Sequence, residues 1–275
     1  MKEYILKISC SDEKGLIYRI SDVIFKYRIN IVKNDEFVGE ERFFFRAHLE
    51  GELDLQAFKG TLEAVLPNDA LIEICEKRKK DIIVFVTKET HCLGELLIRH
   101  FSNEFNANIK AVIANYDILK PLVDKFNIPF HTIEAQNLTR ENHEEKILEC
   151  LSQYEFDYIV LAKYMRILSP SFVQYFEGKI INIHHSFLPA FIGANPYKQA
   201  YERGVKIIGA TAHFVNNDLD EGPIITQDVI PVTHEYSWQM MQQAGRNVEK
   251  NVLSKALDLV FDDRIFIYNN KTIVF

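Results

Sequence analysis

Short apolar runs alternate, from residue 81 onward, with longer segments whose apolar residues recur at helical spacing. The apolar runs cover residues 81–86, 109–114, 129–133 and 158–162, and the helical segments cover 95–105, 117–126 and 142–153. Strands that alternate with helices predict a parallel sheet, because the crossover between parallel strands is usually a helix. We therefore predict that residues 81–275 form a doubly wound, mostly parallel α/β domain, which ends in a helix over 237–260 and a hairpin around Asn269.

The first 80 residues have a different order of elements. Strand-like runs begin at Tyr4, Asn30, Arg42 and Leu71, and amphipathic helical segments cover 17–27 and 54–66. This order, βαββαβ, is that of the ferredoxin-like fold. With 275 residues, of which 47% are hydrophobic, the chain is long enough for two cores. The sequence predicts a domain of residues 1–80 followed by one of residues 81–275.

The charge balance argues against two classes of partner. A net charge of −7 and a pI near 5.8 give no general attraction to nucleic acids or to anionic membranes. The basic run 77–80 is interpreted as a solvated linker, with a nucleic-acid-binding arm as the alternative. The sequence has no run of 18 apolar residues, residues 1–4 begin a strand, and the four cysteines form no paired motif, so we expect a cytoplasmic protein.

Two polar blocks carry the chemistry that the sequence offers. Asn182 and His184 end a short apolar run, and a second strand-like stretch over 207–215 leads into an acidic turn that contains Asp220. If the two strands are adjacent and parallel, these three residues meet at the edge of the sheet where α/β proteins bind their ligands.

These residue types suit the transfer of a formyl group from nitrogen without a covalent nucleophile. Attack on the carbonyl creates an oxyanion, to which the amide of Asn182 and an imidazolium at His184 can donate. A carboxylate at Asp220 favours the charged form of His184, orients a water and carries its proton to the leaving nitrogen. Taken singly, each residue is more typical of a structural role, such as an Asn or Asp in a turn.

The usual marks of metal and nucleotide chemistry are missing from the sequence. Neither His-Glu pair is followed by a second histidine at the spacing of a zinc-binding helix, and the adjacent rings of His184 and His185 are expected to point apart on an extended chain. His91 and Cys92 have no further ligands nearby in the sequence, so Cys92 is interpreted neither as a zinc ligand nor as a nucleophile. Since Gly-x-Gly is also absent, we expect no metal and no cofactor besides the substrate.

The two polar blocks resemble the folate-dependent formyltransferases, the family that contains phosphoribosylglycinamide formyltransferase. The shared motifs are Asn-Ile-His-x-Ser-x-Leu-Pro over 182–189, His-Phe-Val over 213–215 with the acidic loop after it, and Met-Arg-Ile-Leu over 165–168. The resemblance implies that Asn182, His184 and Asp220 are the catalytic residues. It also implies a folate site in which backbone groups of the 165–168 segment receive the pterin. The implied residues of that site are Met165, Arg166, Ile167, Leu168, His213 and Asp218.

Residues 184–211 resemble one branch of this family more than the others, the deformylase branch, which hydrolyses 10-formyltetrahydrofolate to formate and tetrahydrofolate. This resemblance covers nearly the whole chain and implies a role in one-carbon metabolism and purine synthesis. A transferase that formylates an amine and a catalytically inactive sensor are the alternatives. The loop over 87–94 argues against a ribonucleotide acceptor, because it has one glycine and the carboxylate of Glu89 where the transferases bind a phosphate. With water as the acceptor, His185 is predicted to help place it.

The first 80 residues resemble the ACT domains, which bind small amino acids between paired domains and regulate enzymes of amino-acid and one-carbon metabolism. The resemblance lies in the element order, in Asp12-x-x-Gly15-Leu and in Asn30-Ile. It implies an amino-acid effector at Asp12, Gly15 and Asn30, where N–H groups at a helix start face a carboxylate. The alternative is a dimerisation module without a ligand, and both interpretations imply a homo-oligomer.

Overall fold

The computed structural model describes residues 2–190 and 196–275. Residues 191–195 of the 184–211 motif therefore lie outside the described residues. Contacts between Cα atoms divide the chain into two units, residues 2–78 and residues 79–274. Among the helices that the structure describes, none has an apolar stretch of the length that spans a bilayer.

The first unit is a four-stranded sheet with two helices, in the predicted order βαββαβ. Its elements are β1 (Lys2–Ser11), α1 (Leu16–Lys26), β2 (Asn30–Gly39), β3 (Arg42–Gly51), α2 (Leu55–Glu63) and β4 (Leu71–Glu76). The strands lie in the order β2-β3-β1-β4, and all neighbours are antiparallel. Apolar residues of both helices, among them Ile20 and Phe58, share one core with the sheet. This is the ferredoxin-like arrangement.

The second unit is built around a seven-stranded sheet. Its strands are β5 (Lys80–Val86), β6 (Ala107–Ala114), β7 (Phe130–Thr132), β8 (Tyr158–Leu161), β9 (Ile180–His184), β10 (Ile207–Phe214) and β11 (Ile224–Pro231). Its helices are α3 (His91–Phe101), α4 (Lys120–Val123), α5 (Arg140–Leu151), α6 (Pro170–Tyr175), α7 (Pro196–Arg203) and α8 (Trp238–Phe261). A hairpin of β12 (Ile265–Tyr268) and β13 (Lys271–Val274) follows α8, as predicted, with Asn269 and Asn270 in the left-handed conformation that a two-residue turn needs.

Alternate residues of the central strands face two separate cores. On β5, Ile82 and Val84 lie in a core with α3 and α8, whereas Ile83 and Phe85 lie in a core with α5 and α6. Burial on both faces explains why the central strands are continuous apolar runs. The predicted placement of helices on both sides of the sheet is confirmed.

The chain enters this sheet in its middle. The strand order is β11-β10-β9-β8-β5-β6-β7, and the five strands from β9 to β7 are mutually parallel. The chain passes from β5 outward to β7 and returns to β8 on the other side of β5, so the switch point at which such sheets bind ligands lies between β5 and β8. The prediction of a parallel strand before Asp220 was wrong, because β10 is antiparallel to both β9 and β11. A run of apolar residues does not specify strand direction, which the connection through α7 sets.

The basic run at the junction of the units is only partly a solvated linker. Lys80 is the first residue of β5 and is buried, with its Nζ 2.8 Å from Oδ2 of Asp263. The prediction of a solvated linker was therefore wrong for Lys80. A buried ammonium requires a partner, which the segment between α8 and β12 supplies.

Candidate active site

A cavity of about 300 Å³ opens at the carboxyl ends of β8 and β9, beside the switch point of the sheet. Most of its lining comes from three segments, namely the loop after β8, the end of β9 and the loop after β10, and Val173 of α6 adds to it. The structure brings all the predicted catalytic and folate-binding residues to this cavity: Asn182, His184, Asp220, Met165, Arg166, Ile167, Leu168, His213 and Asp218.

The amide of Asn182 is fixed by a histidine on the neighbouring strand. Asn182 lies opposite His213 across the antiparallel β9–β10 pair, and its Nδ2 is 3.2 Å from Nε2 of His213. Nδ1 of His213 donates to the carbonyl oxygen of Phe214 at 2.8 Å, and burial holds the pKa of His213 below its usual value. The neutral ring therefore accepts at Nε2. Asn182 donates one amide N–H to it and keeps the other for the cavity.

His184 shares its face of β9 with Asn182, because the two are two residues apart. Nδ1 of His184 lies 3.3 Å from Oδ2 of Asp220, and its buried Nε2 has no hydrogen-bond partner among the described residues. Burial alone would raise the pKa of Asp220, but the hydrogen bond and charge of His184 outweigh it and lower that pKa. Asp220 is therefore a carboxylate at neutral pH. Its Oδ1 lies 3.7 Å from Nε2 of His213, beyond hydrogen-bond distance.

A tight turn after β10 positions Asp220 in the cavity. Its backbone is left-handed, with φ of 57°, a conformation that Asp tolerates better than most residues. At Gly222 the loop passes so close to β10 that a Cβ would collide with the carbonyl oxygen of Phe214. The N–H of Phe214 also donates to the carbonyl of Pro223 at 2.9 Å. The close approach explains why residue 222 is a glycine. It also determines where the loop holds Asp220 relative to β10.

The 165–168 segment offers backbone groups to a ligand. The N–H of Met165 donates to Oγ1 of Thr87 at 3.0 Å, whereas the peptide groups of Ile167 and Leu168 make no hydrogen bond within the described ranges. The Met165 and Ile167 residues are 56% and 55% exposed. Leu168 packs against the core that contains α5 and α6, whereas Met165 and Ile167 are largely outside it. The unpaired peptide groups of the segment are free for a polar ring.

A buried charge network lies beside the cavity. Glu249 of α8 accepts a hydrogen bond from the hydroxyl of Tyr197 at 2.6 Å and another from Nε2 of His91 at 2.8 Å, and Nζ of Lys163 is 3.2 Å away. Burial raises the pKa of Glu249, but these contacts outweigh it and lower the pKa to about 2. Glu249 is therefore an anion that holds three side chains around it.

His91 and Cys92 have a third potential metal ligand, which the sequence did not indicate. The ligand atoms of His91, Cys92 and Glu249 lie within 4.8 Å of one another, so the fold adds one potential ligand to the two that are adjacent in the sequence. Glu249 comes from a helix far along the chain. The donor set nevertheless suits the hydrogen-bonded network better than a cation, because the Lys163 ammonium occupies the carboxylate and burial raises the pKa of the Cys92 thiol.

The rings of His184 and His185 lie side by side, with centroids 5.1 Å apart and planes inclined at 35°. The prediction that they point apart was wrong, because the chain bends directly after β9 and the alternation of an extended strand stops there. Burial, and then the charge of Lys163, lower the pKa of His185 to about 3. His185 is therefore neutral at pH 7, and one nitrogen of its ring can accept a hydrogen bond.

The loop after β5 is shorter than predicted. Helix α3 begins at His91, and Gly94 lies in its first turn with its N–H bonded to the carbonyl of Thr90 at 2.7 Å. The remaining loop, residues 87–90, contains no glycine. The carboxylate of Glu89 is 2.9 Å from the guanidinium of Arg246. This loop therefore presents a carboxylate and no glycine where a phosphate cradle would need close backbone approach.

The predicted effector residues lie in the first unit. Gly15 precedes α1 in the left-handed conformation, with φ of 88°, which favours glycine. Asp12 and Asn30 are exposed, and the N–H of Asp12 donates to the carbonyl of Glu41 at 3.0 Å. The structure thus places Gly15 at the helix start, where the sequence predicted it.

Known proteins share this fold. A family model described as formyl transferase matches residues 80–257. The chain is 51% identical to the formyltetrahydrofolate deformylases of Haemophilus influenzae and of Escherichia coli K12, over 100% of this chain and 99% of each relative. A crystal structure of a formyltetrahydrofolate deformylase from Pseudomonas syringae pv. tomato matches with a TM-score of 0.95 at 34% identity, covering 100% of this chain and 95% of that one. Residues 80–257 thus have the formyl transferase fold, which defines the class of this protein. Within it, the chain belongs to the formyltetrahydrofolate deformylases.

Proposed function

We propose that this chain hydrolyses 10-formyltetrahydrofolate to formate and tetrahydrofolate. One observation carries the proposal: Asn182, His184 and Asp220 meet in the same cavity as the 165–168 segment. A formyl group bound among the three polar residues accounts for their position in the cavity. A pterin bound to the free peptide groups accounts for the 165–168 segment beside them. The names of the full-length relatives point to the same reaction.

The polar residues divide the work of the reaction. The second N–H of Asn182 and the protonated Nε2 of His184 donate to the oxyanion, and one such donor typically contributes about 10²–10³ in rate. Oδ2 of Asp220 orients His184 by accepting from its Nδ1. Oδ1 holds a water and carries its proton to the leaving nitrogen.

Water is the acceptor in this proposal, and His185 helps to place it. The neutral ring of His185 lines the cavity beside His184 and accepts a hydrogen bond from the water, so that an oxygen lone pair turns toward the formyl carbon. In a transferase an amine supplies the nucleophile. The glycine-free loop over 87–90, with Glu89 paired to Arg246, disfavours the phosphate of a ribonucleotide acceptor.

Formate release from 10-formyltetrahydrofolate tests the function. The purified chain is incubated with the folate alone and with added glycinamide ribonucleotide, and formate and formylated ribonucleotide are both measured. We expect formate release that needs no acceptor. Release only with the ribonucleotide, recovered as its formyl derivative, would instead make the chain a transferase. Binding of the folate without any turnover would make it a sensor.

We further propose that residues 1–80 form an ACT-like regulatory domain. The ferredoxin-like strand order and the left-handed Gly15 at the start of α1 support this, with Asp12 and Asn30 as the other effector residues. A small amino acid is expected to change the rate of hydrolysis or the melting temperature. If none of the twenty changes either quantity, the regulatory role is wrong.

Three proposals concern the setting of the reaction. The chain forms a homo-oligomer, because β2 is an edge strand on which Val32 and Val38 are half-exposed. The mass of the particle in solution, measured by light scattering, tests this. Hydrolysis requires no metal or further cofactor, so treatment with a chelator is expected to leave the rate unchanged. The protein acts in the cytoplasm, where it supplies formate and free tetrahydrofolate to one-carbon metabolism and purine synthesis.

A further inference from the structure

A second cavity, of about 440 Å³, adjoins the first. Lys163, Met165 and His185 line both cavities and form the wall between them. The other described residues that line the second cavity come from the loop after β5 and from α3, α7 and α8, among them Glu89, Lys198, Gln242, Arg246 and Glu249. None of these residues is predicted to bind the folate.

Cations outnumber carboxylates around this second cavity, with Lys163, Lys198 and Arg246 against Glu89 and Glu249. Arg246 pairs with Glu89 at 2.9 Å, and its side chain is 42% exposed. Lys163, in the shared wall, is only 8% exposed.

Lys163 is held as an ammonium beside the reacting groups. Its Nζ is 3.2 Å from Oε2 of Glu249, whose carboxylate is fixed in turn by Tyr197 and His91. An ammonium has three N–H donors, so a second anion can bind to Lys163 without displacing Glu249. The network therefore presents a fixed positive charge at the wall that the two cavities share.

We propose that the second cavity is the nucleophile and product side of the active site, which admits water to the formyl carbon and binds the formate that leaves. The inference rests on the proposed hydrolysis and assigns a place to its small reactant and product. The oxygen of water bonds to the formyl carbon, the bond from that carbon to nitrogen breaks, and the leaving nitrogen takes up a proton. The formic acid so formed loses its proton and departs as formate.

The place of the folate supports the assignment of water and formate to the second cavity. In the proposed reaction the folate occupies the first cavity until tetrahydrofolate leaves, so water and formate need another path. His185, which places the water, is part of the shared wall and can be reached from the second cavity. Lys163 in the same wall offers a charge-assisted contact to the newly formed carboxylate.

Inhibition by formate tests the site without any mutation. Initial rates of tetrahydrofolate formation are measured over a range of 10-formyltetrahydrofolate concentrations, with added sodium formate and with sodium chloride at equal ionic strength. Formate is expected to lower kcat while the KM for the folate stays within about twofold, because the two bind in different cavities. Inhibition that raises only the KM would place formate in the folate cavity and overturn the proposal, as would inhibition by chloride equal to that by formate.

A bulky side chain at the second cavity gives an independent test. Gln242→Trp is expected to lower kcat by about tenfold or more and to leave the KM for the folate within about twofold. Gln243→Trp, on the exposed face of the same helix, is the matched control and keeps the wild-type rate. A wild-type kcat in Gln242→Trp would overturn the proposal. If that variant melts well below the wild type, the formate inhibition pattern of the wild type decides.

The two proposals can fail separately. Turnover by the wild type and by Gln243→Trp reports on hydrolysis itself, whereas the difference between the two tryptophan variants reports on the second cavity. Absence of formate release by the wild type would overturn the hydrolase, and equal rates in the two variants would overturn only the second cavity.

Discussion

The side-chain amide of Asn182 donates a hydrogen bond of 3.2 Å to Nε2 of His213 on the neighbouring strand. His213 can accept it because its Nδ1–H is engaged by the carbonyl oxygen of Phe214. The ring of His213 thus fixes which way the Asn182 amide faces. The orientation of the proposed oxyanion donor depends on this contact.

His213→Ala is expected to lower kcat by about tenfold or more, because Asn182 loses its fixed orientation, with a smaller change in the KM for the folate. Steady-state rates of tetrahydrofolate formation measure both constants. His131→Ala is the matched control. His131 lies on β7, at the far edge of the sheet, and pairs there with the hydroxyl of Tyr154. An unchanged kcat in His213→Ala would show that the amide is oriented by other contacts.

The proposed catalytic residues give the second prediction. Asn182→Ala is expected to lower kcat by about 10²–10³, the usual effect of removing one oxyanion donor. Asp220→Asn keeps the shape of the side chain but removes the charge that orients His184, and it is expected to abolish turnover with the fold intact. Asp124→Asn, at an exposed carboxylate paired with Lys120, serves as the control. Full activity in either site variant would contradict the mechanism, provided that circular dichroism shows a folded protein.

The sequence predicted those parts of the fold and site that depend on local pattern. The ferredoxin-like order and the apolar strands of the sheet follow from periodicity, and the spacing of Asn182 and His184 places both on one face of β9. The antiparallel direction of β10 was missed because strand direction depends on the connection and not on the strand itself.

The charge network was missed for a different reason. Glu249 reaches His91 across 158 residues of sequence, and within α8 it has no local pattern that distinguishes it from a surface charge. Tyr197 lies inside the 184–211 motif and Lys163 lies two residues before the 165–168 motif, and these positions were the only signal. Contacts of this kind depend on how the helices pack against the sheet, which a single sequence does not reveal.

Stability is expected to depend on pH through His185. Its pKa falls from 6.5 in the unfolded chain to about 3 in the folded one, so the unfolded state binds more protons between these values. The contribution of His185 to the free energy of unfolding is therefore at its full value above pH 6.5. Below that pH it falls by about 1 kcal/mol for each pH unit. Urea unfolding of the wild type and of His185→Asn between pH 7 and 5 measures the difference between their pH slopes. His213 and His143, whose pKa values are also lowered, are present in both proteins and cancel.

The same variant tests the chemical role of His185. If the ring places the attacking water, His185→Asn lowers kcat at pH 7 with little change in the KM for the folate. If hydrolysis is untouched while the pH slope of stability changes, the residue is structural.

The last prediction concerns the loop that holds Asp220. In Gly222→Ala the new methyl group collides with the carbonyl oxygen of Phe214, so the loop must shift and Asp220 moves away from His184. We expect kcat to fall by about tenfold to a hundredfold, since a displacement of about 1 Å can cost that much. Gly60→Ala is the control, because its methyl group meets no atom within 4 Å and the substitution favours helix α2. Wild-type kcat in Gly222→Ala would show that the close approach to β10 does not set the position of Asp220.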